Sequence, residues 1–190
     1  MPNRIIILTK PSIIVKIVKK SQITHPVWAC PQKGRCAICQ VSKRSKQQHL
    51  QEGVKVVANV RQFEFVIDEP KSLGGTDTGM NPVEALLASL GACQSIVARV
   101  YAPKFDVILE DFRVEVEGDL DLDGFFNRSD VRPGYSDIRY TFYIKTPSSA
   151  EKVEQFVEFL ESKCPVGDTI AAPVNLKLNR IVIENEVTNL

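Results

Sequence analysis

Hydrophobic and polar positions along the chain fall into three patterns, each predicting a different kind of element. Between Glu84 and Arg99 the 14 residues carry no charge, and small or apolar side chains occur on every face of a helical projection. A helix of that kind is a buried helix. Asn81 suits the N-cap, Pro82 the first helical position, and Glu84 the third position of a capping box. Pro103 disfavours helical geometry in the residue before it, so the helix should stop near Ala102. The charge-free run is too short for a membrane span, which needs about 20 apolar residues.

Strict alternation is the second pattern. Phe112, Val114 and Val116 alternate with Arg113, Glu115 and Glu117, and Ile138, Tyr140, Phe142 and Ile144 alternate with Arg139, Thr141, Tyr143 and Lys145. Both read as half-buried strands, paired across the loop 118–134. The β-rich runs Val54–Val60 and Phe63–Pro70 read as two more, with Arg61-Gln62 at a junction that lacks the usual Asn-Gly turn chemistry. A last strand is expected over Val174, Leu176, Leu178, Ile181 and Ile183, with a bulge or bend at Asn179-Arg180. The third pattern is amphipathic: Val153, Phe156, Val157 and Leu160 recur at helical spacing opposite Glu151, Lys152, Glu154, Glu158 and Glu161. Ser148 with Glu151 predicts a capping box there, and Pro165 ends this helix at about Cys164. Together these elements predict an α+β fold.

Charge divides the chain. Residues 1–52 hold ten Lys and Arg against one acid, Glu52, leaving 14 basic and 22 acidic residues in the remainder. That asymmetry separates a basic N-terminal extension, 1–52, from a domain over 53–190. The extension contains Cys30, Cys36 and Cys39, with His25 and His49 nearby, a set able to bind zinc through thiolates and an imidazole; an inert basic leader is the plainer reading. Lysines interrupt every early apolar run, so no secretory signal is read, and five cysteines in 190 residues do not make a secreted disulfide scaffold. The expected location is a reducing cytoplasm, without a membrane or nucleic-acid partner. In the loop, Asp119, Asp121 and Asp123 precede Gly124, with Asp130 further on. This is similar to the first half of a calcium loop, but strand-like flanks and a final Asp favour a solvated acidic hairpin loop.

Two cysteines of the domain stand out. Cys93 lies in the middle of the uncharged helix and Cys164 in a Cys-Pro turn. An isolated helical cysteine is usually an inert small hydrophobe, but two thiols on different elements can act as a peroxidatic and resolving pair. The motifs Gly74-Gly75, Gly79-Met80-Asn81-Pro82-Val83-Glu84, Leu90-Gly91-Ala92-Cys93 and Cys164-Pro165-Val166 together resemble the OsmC/Ohr family over about residues 53–184.

The resemblance implies antiparallel sheets wrapped around long central helices in an intertwined homodimer, with active sites at the dimer interface. The residues agree, since a domain of this size has too few strands to cover a helix apolar all round. It implies a hydroperoxide substrate, preferably organic, a dithiol reductant of lipoyl type, and no cofactor. It makes Cys93 the peroxidatic thiol and Cys164 the resolving one. It also implies an arginine and a glutamate at the thiolate. Arg61 matches the arginine by position, and its cation would favour the thiolate. The family glutamate directly follows Asn-Pro, where this chain has Val83; Glu84 comes one residue later, rotated by about 100°. The alternative is a non-enzymatic dimer that binds a hydrophobic small molecule or lipid in a pocket near Cys93, and a third reading makes Cys93 ordinary packing.

Overall fold

The computed structural model of the chain describes residues 13–16, 47–50 and 53–183; the cysteines and His25 of the zinc reading lie outside them. The elements in order are β1 (Ile13–Lys16), β2 (Gln47–Leu50), β3 (Val56–Val60), β4 (Phe63–Ile67), α1 (Pro82–Tyr101), β5 (Asp111–Asp119), α2 (Leu122–Phe125), β6 (Asp137–Lys145), α3 (Ala150–Ser162) and α4 (Pro165–Ala171). Two antiparallel three-stranded sheets form, ordered β1-β5-β6 and β2-β3-β4. Each therefore takes one strand from the basic stretch before Gly53.

Period-two alternation places β5 as expected. Phe112, Val114 and Val116 are all fully buried, and opposite them across the β5–β6 ladder stand Ile144, Phe142 and Tyr140. α1 packs over this sheet against β5 and β1, with α3 and α4 beside it. Leu87, Leu90, Ala98, Phe112, Phe156, Leu160 and Cys164 belong to the one core these elements enclose.

α1 begins as its sequence requires. The Asn81 side chain accepts the N–H of Glu84 at 2.8 Å, while Glu84 Oε2 accepts the N–H of Asn81 at 2.9 Å. With the 3-10 turn that follows, the helical stretch runs Pro82–Phe105, 24 residues, long and apolar enough by length and composition to cross a membrane. It is longer than the charge-free run alone suggested; its inward side, however, lies against the chain's own core. Nor is α1 buried on every face. Its inward arc holds Leu87, Leu90, Gly91, Gln94 and Ala98, whereas Leu86 and Ile96 are 39% and 65% exposed. One chain covers one side of the helix and leaves the other apolar and open.

Three local expectations are corrected. Ser148 does not cap α3: Ser149 holds that position without a side-chain cap, because the Ser148 hydroxyl is taken by the N–H of Ile108 at 3.0 Å. The helix ends at Ser162, and Cys164 caps a separate short helix, α4, that the sequence did not suggest. Residues 173–183 form no strand. Val174, Leu176, Leu178, Ile181 and Ile183 are 61–93% exposed, since alternation makes a strand only where a neighbouring strand supplies hydrogen bonds. The acidic loop is held by the side chains of Asp121 and Asp119. Asp121 accepts the N–H of Asp123 at 2.9 Å as the cap of α2, and Asp119 accepts from Arg139 at 2.7 Å. A Cβ on Gly124 would come within 2.6 Å of the Val131 carbonyl, so glycine is needed there for a close backbone approach. Among the described residues no three His, Cys, Asp or Glu side chains converge as a metal site would require.

The glycine-punctuated loop before α1 is built on Asp68, 1% exposed. Its carboxylate accepts the Thr76 hydroxyl at 2.5 Å and N–H at 3.1 Å, the Thr78 N–H at 3.1 Å and hydroxyl at 3.0 Å, and the Glu69 N–H at 2.9 Å. These bonds, the Thr76 hydroxyl foremost, outweigh burial and hold the carboxyl well below the usual carboxylate range. Gly75 lies so close to Glu69 that a Cβ would fall 1.8 Å from its carbonyl oxygen.

Two stability predictions follow from this packing. Phe156, fully buried, should cost about 3–5 kcal/mol on replacement by Ala, read by urea unfolding. Asp68→Asn should lower the urea midpoint at pH 7. Because Asp68's folded pKa is depressed, its contribution is present above the unfolded value of about 3.9 and is lost as pH falls below it. The variant and wild-type midpoints should therefore converge on acidification; a constant gap down to pH 2 would contradict this assignment.

Candidate active site

Nine positions separate Glu84 from Cys93 on α1. That spacing turns Glu84 about 180° around the helix from the thiol and sets it about 14 Å back along the axis. Glu84 is committed to its capping box, and its charge acts instead on Glu69 and Tyr135. Burial first and the Glu84 carboxylate second raise the ionisation of both above their ordinary values. Tyr135 also anchors this end of the helix by donating to the Val83 carbonyl at 3.0 Å. Glu84 is therefore not brought to the thiol within the chain.

Arg61 is not brought there either. It sits in the two-residue connection between β3 and β4, in the left-handed region at φ 57°, a conformation uncommon for a residue with a side chain. That backbone explains how the hairpin closes without Asn-Gly. The side chain is exposed, and its guanidinium lies 4.9 Å from the centre of the Phe63 ring. Among the described residues no hydrogen bond or ion pair joins Arg61 to Cys93, Cys164 or Glu84.

The two cysteines, by contrast, come close. Both are free thiols, Cys93 half-buried and Cys164 1% exposed, and Cys93 packs against the core cluster that contains Cys164, near enough to act on its ionisation. α1 and α4 create this proximity. Cys93 occupies the border between the inward arc of α1 and its open face, and Cys164 is held at the start of α4, where its sulfur accepts the Gly167 N–H at 3.3 Å. Burial pushes the Cys164 thiol up to about 11; the Gly167 N–H opposes the rise and Cys93 adds to it. Cys164 is thus a protonated thiol at neutral pH, near a more accessible one.

Two neighbours escaped the sequence reading. Tyr140 donates to Glu161 at 2.6 Å; burial, that bond and the nearby Cys164 raise its hydroxyl to about 12. Gln94 is 2% exposed, and among the described residues its Oε1 has no hydrogen-bond partner. It is the only amide side chain in the uncharged run of α1, which was the available signal. Two surface depressions, about 130 Å³ beside Glu115, Glu117, Arg139 and Tyr140 and about 300 Å³ beside Phe105, Glu158 and Phe159, include neither cysteine.

Known proteins resemble this chain in sequence and fold. The chain is similar to a hydroperoxide reductase of Mycoplasma pneumoniae, 28% identical over 134 residues, 68% of this chain and 88% of that one. A hydroperoxide reductase of Mycoplasma genitalium is 28% identical over 118 residues, covering 62% and 79%. The crystal structure of an OsmC-like protein from Mycoplasma pneumoniae superposes with a TM-score of 0.59 at 26% identity, over 69% of this chain and 89% of that one. An organic hydroperoxide resistance protein OsmC from Legionella pneumophila shares the fold at a TM-score of 0.50 and 18% identity, over 68% and 89%. Residues 75–179, more than half of the chain, match the family model described as OsmC-like protein, and the chain belongs to that family.

Proposed function

We propose that this chain is a cysteine-based hydroperoxide reductase, active as a homodimer in a reducing cytoplasm as part of the defence against oxidative stress. The observation that carries the reading is the packing of a half-buried thiol on α1 beside a buried, protonated thiol at the start of α4, in one core cluster. The names of the relatives support the substrate class, and apolar Leu86 and Ile96 on the open face beside Cys93 favour organic hydroperoxides over hydrogen peroxide.

In the first step the Cys93 thiolate sulfur attacks the distal peroxide oxygen. An S–O bond forms, the O–O bond breaks, and the alkoxide leaves and takes a proton from water. In the second, the Cys164 sulfur attacks the Cys93 sulfur. The S–O bond breaks, and the hydroxyl departs as water with the Cys164 proton. A dithiol then reduces the disulfide and is itself oxidised.

The homodimer completes the site in two ways. A second copy covers the open face of α1, where each of Leu86 and Ile96 gains on the order of 1–2 kcal/mol on burial. It also brings a β3–β4 connection to the thiol, which is the route by which Arg61 acts on Cys93.

One equivalent of cumene hydroperoxide should convert both thiols to a Cys93–Cys164 disulfide, located by mass spectrometry. Cys93→Ser should abolish peroxide consumption. Cys164→Ser should react once and accumulate sulfenic acid on Cys93, then sulfinic acid with excess peroxide. The second step needs the Cys164 thiolate, so its rate should rise about tenfold per pH unit from neutrality toward 10. If folded protein keeps Cys93 reduced under peroxide, the enzyme reading fails and binding of a hydrophobic ligand near Cys93 takes its place.

A further inference from the structure

Native cores seldom bury a carbonyl oxygen without a donor, and such an exception asks for a reason. Gln94 Oε1 is such an atom. The residue stands on the inward arc of α1 at 2% exposure, among Leu87, Leu90 and Ala98. It is next in sequence to Cys93 and about 100° round the helix from it. Leu90, one turn back from both, bridges that interval, because residues three and four apart are neighbours on a helix surface. On the far side, a Cβ placed on Gly167 would lie 3.5 Å from Cys164 Sγ and 3.7 Å from Leu90 Cδ1. Cys93, Cys164 and Leu90 pack in one cluster, and Gln94 lies on the same helix one residue on from Cys93.

The reduced site offers this oxygen little. Thiols are weak donors. The reaction supplies what is missing. A hydroperoxide carries an O–H on its distal oxygen, the same oxygen that joins sulfur in the first step and keeps its hydrogen in the sulfenic acid. One well-placed acceptor can therefore hold that O–H before and after transfer. Glutamine, with three rotatable bonds and no charge to repel a thiolate, suits that work better than a carboxylate would.

We infer that Gln94 Oε1 accepts the O–H of the hydroperoxide's distal oxygen as Cys93 attacks, and then the O–H of the Cys93 sulfenic acid. This rests on the hydroperoxide reductase reading. Gln94 thereby aligns the O–O bond with the sulfur and keeps the sulfenic acid facing Cys164.

Gln94→Met removes the acceptor with little change in volume and separates a functional amide from a packing defect. The full-length variant and wild type are compared by thermal unfolding and by the single-turnover rate of Cys93 oxidation with cumene hydroperoxide. Trapping of sulfenic acid by dimedone is followed in a Cys164→Ser background. The expected result is a variant at least as stable as wild type, since a buried unsatisfied group is gone. Its oxidation should be about tenfold slower or worse, with a changed rate of sulfenic acid trapping. Equal rates with raised stability would overturn the inference and leave Gln94 a packing defect. A marked loss of stability would overturn it as well, by showing that the amide already has a partner in the reduced core. Wild type inert to peroxide would refute the reductase reading itself, a result distinct from an active wild type matched by its variant.

Discussion

The packing of one arc of α1 on β5 is the contact on which the other features of the molecule rest. Phe112, Val114 and Val116 give β5 a fully buried face, and α1 meets it with Leu87, Leu90 and Ala98. Because α1 is apolar beyond that arc, the same contact defines the surface the chain cannot cover alone. Cys93 stands on the dividing line, with the core and Cys164 on one side and the exposed Leu86 and Ile96 on the other. The thiol that the proposed function uses thus stands where the chain's own packing ends.

Polar anchoring makes that placement firm. Asp68 ties the loop before α1, and the Asn81–Glu84 box and the Tyr135 hydroxyl close on the first turn. Glu84 is used for this work, and the polar side chains named beside the two thiols are Gln94 and the Tyr140–Glu161 pair. Burial among apolar side chains suits a protonated thiol such as Cys164.

Local signals in the sequence told most where the interacting groups are close in the chain. The start of α1 is a five-residue problem, and Asn81, Pro82 and Glu84 specify it fully. The β5–β6 pairing was legible because alternation over nine residues leaves one register face to bury. Ser148 was misread because its hydroxyl answers to Ile108, 40 residues away. The stretch Val174–Ile183 was misread because alternation records that a face will be covered without saying by which chain. At the site, the motifs placed Cys93 and Cys164, whose proximity depends on α4. Arg61 and Glu84 do not reach the thiol in one chain, and Gln94 and Asp68 gave no spacing signal, since unpartnered or multiply bonded states exist only in three dimensions.

The account turns on the open side of α1 belonging to a second copy. Sedimentation equilibrium of the full chain at micromolar concentration tests it most directly. The mass should be twice the chain's 21.2 kDa, and Ile96→Glu, at the 65% exposed centre of the open face, should reduce it to a single chain. A wild-type mass of one chain, with Leu86 and Ile96 left in water, would contradict the account.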